Sequence, residues 1–296
     1  MPNIAIVNGD IQPEKEARIP VLDRGFLFGD SVYEVIRTRE GVPYQVEPHL
    51  RRLRASAEQI RMELDLGPGE IRRWMRRGMT EAGHGETYIR IVVSRGSGPS
   101  DINPRLAEKR TWVMLFRELR TPTPRQYAEG IGAAIPRTCR NDPGALNPAI
   151  KSGNYLNNIL ALLEAQEKGA EEALILNKEG YLTEATTANA FIVEGERIYT
   201  PPLAGGILEG ITRAFLLEMA ERDGCPVKEE HISLNRLQGA REIFITSTTK
   251  DILPITRLDG EPLGEGRPGP VTRDLMERME GWAAERLRHD RESWES

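Results

Sequence analysis

The stretch Pro148-Ala149-Ile150-Lys151-Ser152-Gly153-Asn154-Tyr155-Leu156-Asn157-Asn158-Ile159-Leu160-Ala161-Leu162-Leu163 sets how this chain is understood. Lys151 follows an apolar pair and precedes a small-residue turn that opens into an apolar helix. The other lysines, Lys15, Lys109, Lys168, Lys178, Lys228 and Lys250, each adjoin an acidic residue and read as solvated surface charge. A lysine in an apolar setting without such a neighbour is desolvated, which lowers its pKa and suits it to Schiff-base formation. The same placement fits a lysine that snorkels from a half-buried strand end, so position alone leaves both readings open.

Around this stretch, residues 131–138 read as a strand upstream and residues 154–168 as a helix. Further upstream, Thr121-Pro122-Thr123-Pro124-Arg125-Gln126-Tyr127 is a stiff connector. It divides a small N-terminal α/β domain, residues 1–118, from a larger C-terminal domain, residues 130–296, with 119–129 as linker. In the first domain, strands are expected over 4–7, 31–38, 87–94 and 111–116, with 42–46 returning after the Glu40-Gly41 turn. Leu50, Leu53, Ala57, Ile60 and Leu64 define an amphipathic helix that starts at Pro48, and a second helix spans 69–82. In the second domain, 173–176 and 181–193 read as strands, the latter broken by a turn. A helix follows Gly210, with Ile211, Ala214, Phe215, Leu217 and Met219 as its apolar side and Asp223-Gly224 as its end. Residues 241–246 form a strand ending in the hydroxyl cluster Thr246-Ser247-Thr248-Thr249, and the charged tail beyond 272 is helical.

Composition narrows the function classes. The 296 residues favour two domains, and a net charge of −5 argues against a nucleic-acid partner. The arginine clusters at 51–54 and 72–77 have helical surroundings and read as solvated helix faces. Two cysteines, Cys139 and Cys225, are too few for a disulfide framework and favour a reducing compartment. His49, His84, His231 and His289 are scattered without metal-ligand spacing, so no protein-held metal is expected. Every apolar run is far shorter than the roughly 20 residues of a membrane span, and a cytoplasmic enzyme is the expectation.

A Schiff-base lysine needs a carbonyl cofactor, and pyridoxal 5′-phosphate (PLP) demands an acid at its ring nitrogen, an anion site for its phosphate and often a donor at its ring hydroxyl. Glu184, in Gly180-Tyr181-Leu182-Thr183-Glu184-Ala185-Thr186-Thr187-Ala188-Asn189, is a candidate for the acid, although taken alone it also reads as a turn acid. Gly210-Ile211-Thr212 opens a helix, where unpaired N–H groups and the dipole favour an anion and a glycine permits close approach. Thr248 offers hydroxyl and backbone donors, and Arg52 a bidentate positive charge. Singly, these also read as an ordinary helix start, an ordinary turn and a surface arginine.

Six stretches, in order over about residues 20–256, carry a family resemblance: VLDRGFLFGDSVYEVIRT from Val21, PHLRRLRASAEQIRM from Pro48, IKSGNYLNN from Ile150, GYLTEATTANAFIV from Gly180, LEGITR from Leu208 and FITSTTKDILPI from Phe244. Together they resemble the class IV aminotransferases, fold-type IV PLP enzymes that include branched-chain aminotransferases, D-amino-acid transaminases and aminodeoxychorismate lyase. The resemblance implies a two-domain α/β (α+β) fold of the D-amino-acid aminotransferase type, with the cofactor between the domains. It also implies a homodimer, or a higher homo-oligomer, whose neighbouring subunit helps close the site. By the same resemblance, Lys151 is the Schiff-base lysine and proton shuttle and Glu184 the pyridine-nitrogen partner. Arg52, Ile211, Thr212 and Thr248 surround the phosphate, Tyr155 lies near the ring hydroxyl and Leu208 packs against the ring.

The resemblance gives conflicting signs on substrate. Val35 stands where branched-chain enzymes usually have glycine and the lyases threonine, as in D-amino-acid transaminases. Ser94-Arg95-Gly96 also resembles the D-amino-acid and lyase branches, whereas Tyr88-Ile89-Arg90 resembles a branched-chain signature whose arginine reaches an acidic co-substrate. Tyr33, Val35, Arg90, Arg95 and Thr249 are the substrate-pocket candidates. The expectation is ping-pong transfer between D-amino acids, such as D-alanine or D-glutamate, and 2-oxoglutarate or pyruvate. L-branched-chain amino acids, (R)-amines and lyase chemistry are the alternatives, with a non-enzymatic phospholigand-binding protein as the reading from another class.

Overall fold

In the computed structural model, which describes residues 1–295, the chain forms two units. The first comprises Met1–Arg120, Ile150–Asn154 and the segment from Arg286 onward; the second comprises Thr121–Ala149 and Tyr155–Glu285. The division is therefore not linear, because the short stretch around Lys151 belongs with the N-terminal part of the chain. Ser152 forms an antiparallel bridge with Val32, and Gly153 N–H donates to Ser31 O at 2.9 Å.

The first unit is built from β1 (Ile4–Val7), β2 (Asp10–Pro13), α1 (Arg24–Phe28), β3 (Ser31–Arg39), β4 (Val42–Pro43), α2 (Val46–Gln59), α3 (Pro68–Ala82), β5 (Thr87–Ser97) and β6 (Lys109–Glu118). Its strands form one sheet in the order β2-β1-β6-β5-β3-β4. Because side chains alternate across a strand, Glu34 and Ile36 project to one face and Tyr33 and Val35 to the other. Leu50, Leu53 and Ala57 of α2 and Ile71 and Met75 of α3 share a core with Ile6, Ile36, Ile89, Ile91, Met114 and Phe116. Each large side chain so buried stabilises the fold by roughly 1.5–3 kcal/mol. Gly78 lets α3 approach β6 closely, since a Cβ there would lie 2.1 Å from the Phe116 ring.

Two local expectations change. The strand expected over 42–46 stops at Pro43, because Gln45 takes a left-handed conformation with φ 53° and turns the chain into α2 at Val46. Pro48 is thus the third helical residue rather than the first, where its missing N–H still costs nothing. The helix ends at Gln59, and Arg61 at φ 52° redirects the chain so that Met62 is buried while Ile60 and Leu64 only flank the core.

The second unit contains α4 (Pro124–Glu129), β7 (Ile131–Ala134), α5 (Leu156–Glu167), β8 (Glu172–Leu176), β9 (Leu182–Ala185), β10 (Asn189–Glu194), β11 (Arg197–Thr200), α6 (Ile211–Arg222), β12 (Val227–Glu229), α7 (Leu234–Gly239), β13 (Glu242–Ser247), β14 (Asp251–Leu258), β15 (Glu261–Pro262) and α8 (Pro270–Glu295), whose residues from Arg286 on count with the first unit. The proline-rich connector is part helix: Thr123 and Gln126 form a capping box around Pro124. Strand order runs β12-β11-β10-β13-β14-β7-β8-β9, and the pair Glu184–Asn189 joins β9 back to β10. Six strands thereby close into a ring with Leu174, Ala190, Ile243, Ile245, Leu253 and Ile255 in its core. On one outer face, the stacked rings of Phe191 and Phe244, 4.8 Å apart, pack with Leu216, Met219, Leu275 and Trp282. The buried side of α6 is Phe215, Leu216, Met219 and Ala220; Ala214 is exposed, since the stripe rotates toward Leu216 to meet this cluster. Among the described residues no helix is long and apolar enough to cross a membrane.

Candidate active site

In the first unit, Lys151 is fixed through its backbone. Its N–H donates to Ser56 Oγ of α2 at 3.1 Å, and its carbonyl accepts from Tyr33 N–H at 2.9 Å. Gly153 is required beside it, because a Cβ would fall 2.5 Å from Ser31 Oγ. The half-buried Lys151 ammonium lies 4.7 Å from the centroid of the Tyr33 ring, and the Arg90 guanidinium lies 4.0 Å from the same ring. Arg90 pairs in register with Val35, so Tyr33, Val35 and Arg90 occupy one patch of the sheet face. Arg90 is half-buried and, among the described residues, makes no hydrogen bond or ion pair.

Behind this patch lies a buried charged cluster. Arg52 grips Glu34 with both sides of its fork, Nε to Oε1 at 2.6 Å and Nη2 to Oε2 at 2.8 Å. His49 Nδ1 lies 2.7 Å from Glu34 Oε2. Burial raises the Glu34 pKa, but the charge of Arg52 and the bond from His49 outweigh it and hold the carboxylate well below its usual range. Burial keeps the His49 imidazole below its own usual range against the pull of Glu34, and the charges of Arg52 and Lys151 add to that effect. Neutral His49 therefore carries its proton on Nδ1 and donates it to Glu34.

In the second unit, Glu184 sits at the seam that closes the strand ring. Its Oε1 accepts from Arg140 Nε and Nη2 at 2.9 and 2.8 Å, and its Oε2 from Leu208 N–H at 3.0 Å. Arg140 also donates to Asn157 and Asn158, at 3.1 and 3.3 Å. Asn189, opposite Glu184, donates to Leu208 O at 2.9 Å. Gly210 precedes α6 without any side-chain cap, leaving the first N–H groups of the helix available. The hydroxyl oxygens of Thr246 and Ser247 are buried without a partner. A glycine-opened helix start, orphan hydroxyls and an oriented buried carboxylate fit the phosphate and pyridine ends of PLP.

The sequence candidates thus fall into two groups. Lys151, Tyr33, Val35, Arg90 and Arg52 belong to the first unit; Glu184, Leu208, Ile211, Thr212, Thr248, Thr249 and Tyr155, which caps α5, belong to the second. Arg52, expected at the phosphate, has its fork on Glu34. Arg95 is used as a brace, bonding Asp30 at 2.8 Å and the carbonyls of Arg61 and Ile60 at 3.1 and 2.8 Å. Sequence reasoning missed Arg140 and Asn189. Arg140 carries no local signal, whereas Asn189 and the Asn157-Asn158 pair lie inside quoted motifs. It also read Lys250 as surface charge, yet this ammonium donates to Thr187 Oγ1 at 2.9 Å and burial lowers its pKa, with Glu172 opposing in part.

The family model for amino-transferase class IV matches residues 31–258. The chain is 35% identical over 274 residues to the "Putative branched-chain-amino-acid aminotransferase" of Methanocaldococcus jannaschii, covering 92% of this chain and 94% of that protein. It is 31% identical over 271 residues to the D-alanine aminotransferase of Bacillus licheniformis, again covering 92% and 94%. Among solved structures, the Escherichia coli branched-chain amino acid aminotransferase superposes with a TM-score of 0.90 at 28% identity, covering 95% of this chain and 94% of that one. The branched-chain amino acid aminotransferase of Thermobaculum terrenum, in its PLP-form, gives a TM-score of 0.84 at 27% identity, covering 96% and 95%. With these likenesses added to its two-unit α/β architecture, the chain belongs to the class IV aminotransferases, PLP-dependent enzymes of fold type IV.

Proposed function

We propose that this aminotransferase moves the amino group of L-branched-chain amino acids to 2-oxoglutarate, and that Arg90 receives the distal carboxylate of the acidic partner. The observation that carries this reading is Arg90 itself: a half-buried guanidinium over the Tyr33 ring with no carboxylate bonded to it among the described residues. An unpaired cation on an aromatic face gains most from a carboxylate that can take both prongs of its fork. Leucine-like side chains meet the apolar surface of Tyr33 and Val35 on the same patch.

Bound PLP supplies an aldehyde that condenses with amines and a pyridinium that withdraws electrons from the substrate α-carbon. Lys151 would hold the cofactor at rest; freed by substrate, its Nζ would take the proton from the substrate α-carbon and deliver it to the cofactor's carbonyl carbon within the same half-reaction, and the second half-reaction would run the same transfer in reverse. Glu184, pinned by Arg140 and Leu208 N–H, keeps a proton on the pyridine nitrogen. Ile211 and Thr212 at the start of α6, together with Thr248 and the Thr246 and Ser247 hydroxyls, hold the phosphate, and any contribution from Arg52 is limited to what its fork on Glu34 leaves available. Leu208 packs on the ring, and Tyr155 serves the ring hydroxyl.

A second reading, transfer from D-amino acids, is favoured by Val35 opposite Arg90. The other sequence argument for it, Arg95, weakens because that side chain braces the end of α2 against Asp30. A homodimer belongs to the same proposal. It is supported by Leu156, Ile159, Leu160 and Leu163, a half-exposed apolar stripe on α5 that a second copy would cover. The deciding experiment follows loss of the PLP absorbance band on mixing with L-leucine, L-glutamate, D-alanine, D-glutamate or (R)-phenylethylamine. Fastest reaction with L-leucine, with L-glutamate also reacting, supports the proposal; fastest reaction with a D-amino acid overturns it.

A further inference from the structure

The chain turns from β9 into β10 through Thr186 and Thr187, directly after Glu184 and Ala185. Ala185 N–H donates to Ala188 O at 2.8 Å, and Glu184 pairs with Asn189 one step further back. Two-residue connections of this kind favour turns with positive φ, which match the twist of the strands and are built from Gly, Asn or Asp. Thr186 and Thr187 are β-branched, and neither adopts a positive φ. Among the described residues, 186–188 form a bend that has no turn hydrogen bond of its own. Its shape must come from outside. Glu172, at the start of β8, supplies it: this carboxylate is only 4% exposed, and its Oε1 accepts from Thr186 N–H at 3.1 Å, from Thr186 Oγ1 and from Ala173 N–H at 3.0 Å. On the other side of the bend, Thr186 O accepts from Asn158 Nδ2 at 2.7 Å. Asn158 Oδ1 accepts in turn from Arg140 Nη1 at 3.3 Å, and Arg140 is the residue whose fork holds Glu184.

Among the described residues Glu172 forms no ion pair, and Lys250, the cation that senses its charge, donates to Thr187 Oγ1 instead. A carboxylate buried without a cation is costly unless hydrogen bonds offset its desolvation. Here two of the three donors belong to one residue of the bend, so the charge is used where the backbone lacks a turn bond of its own. We propose that Glu172 is a positioning residue for the transamination: by fixing Thr186 it sets the bend that follows Glu184 and, through Asn158 and Arg140, the place of the Glu184 carboxylate. Its ionised form suits this task, because hydrogen bonds to a charged acceptor are roughly twice as strong as neutral ones. Precision matters at such a group, since a misplacement of about 1 Å costs on the order of 100-fold in rate.

The proposal rests on the reading of Glu184 as the pyridine-nitrogen partner, and its test keeps the two apart. In the cofactor-free protein, hydrogen exchange at Leu208 N–H reports whether Glu184 Oε2 still accepts from it. Glu172→Ala should speed that exchange by roughly 10-fold or more, as expected for loss of a hydrogen bond to a charged group, while the amides at the centre of β13 keep their rates. In the PLP-loaded enzyme the same variant should lower kcat of both half-reactions by about 10-fold or more with KM within about 2-fold. Glu172→Gln, which keeps an oxygen acceptor for Thr186, should restore most of both effects. Thr186→Val, which keeps the backbone N–H and removes only the hydroxyl, should give a smaller change of the same sign, and it carries the test if Glu172→Ala fails to fold. Unchanged exchange at Leu208, acceleration spread evenly over β13, or a rise in KM as large as the fall in kcat overturns the proposal. If Glu184→Gln leaves both half-reactions intact, the Glu184 assignment fails instead, and exchange at Leu208 still decides whether Glu172 places that carboxylate.

Discussion

Gly210→Ala tests whether the helix start at α6 and the Glu184 seam are one mechanical unit. The backbone at Gly210, φ −71° and ψ 133°, suits alanine, so no backbone strain arises. An alanine Cβ would nevertheless fall 1.9 Å from Asn189 Oδ1, which must move. Moving it breaks the 2.9 Å bond from Asn189 Nδ2 to Leu208 O, and Leu208 N–H is what Glu184 Oε2 accepts. Overpacking costs about 1–3 kcal/mol and the lost bond about 1 kcal/mol. The reduced entropy of the unfolded chain returns about 0.4–1 kcal/mol. The net loss is about 1–3 kcal/mol in urea denaturation of the cofactor-free protein, accompanied by weaker PLP binding in an absorbance titration. Asn189→Ala clears the space, so on that background Gly210→Ala should cost nothing and stabilise by at most about 0.4–1 kcal/mol. A Gly210→Ala protein as stable as wild type and equally tight for PLP would refute the coupling.

His49 makes stability depend on pH. Its folded pKa lies below the ordinary 6.5, so the unfolded chain binds the extra proton and stability falls as pH drops from 6.5 toward the folded value, by about 1.4 kcal/mol per unit at most. Glu34 contributes little change in that window, since its stabilisation is lost as pH falls from its ordinary value, about 4.5, toward its far lower folded value. Replacing His49 by Gln should flatten the urea midpoint between about pH 6.5 and 5, and an unaltered slope would contradict the neutral-imidazole assignment. Arg140→Leu leaves Glu184 buried with one donor, Leu208 N–H, and should cost about 3–5 kcal/mol. A loss under about 1 kcal/mol in the same denaturation assay would mean that the pair does not anchor the carboxylate.

Local chemistry explains which features the sequence revealed. Lys151 stood out because its neighbours are apolar or small, and the small ones let Ser152 and Gly153 pair with β3. The helix after Gly210 was legible from its glycine, its apolar content and its Asp-Gly end, although its buried side was set by Phe191, Phe244 and Trp282, which come from elsewhere in the chain. Lys250 was misread because its surroundings are set by the fold rather than by the adjoining Asp251: its half-buried ammonium donates to Thr187 Oγ1, 63 residues away in the chain. Arg52 and Arg95 were read from the residues flanking them, while their partners Glu34 and Asp30 approach only when α2 and β5 pack against β3. Arg140 could not be recognised at all, since its meaning depends wholly on Glu184, Asn157 and Asn158.

The proposed chemistry turns on Lys151, and no other lysine, carrying the cofactor. Borohydride reduction of the PLP-bound enzyme followed by peptide mapping tests this, because the chain holds a second half-buried lysine, Lys250, that offers an alternative amine. A pyridoxyl group is expected on the peptide containing Ile150-Lys151-Ser152 and none after Lys151→Ala. A label on Lys250, or no label on any lysine of an active wild-type enzyme, would contradict the assignment.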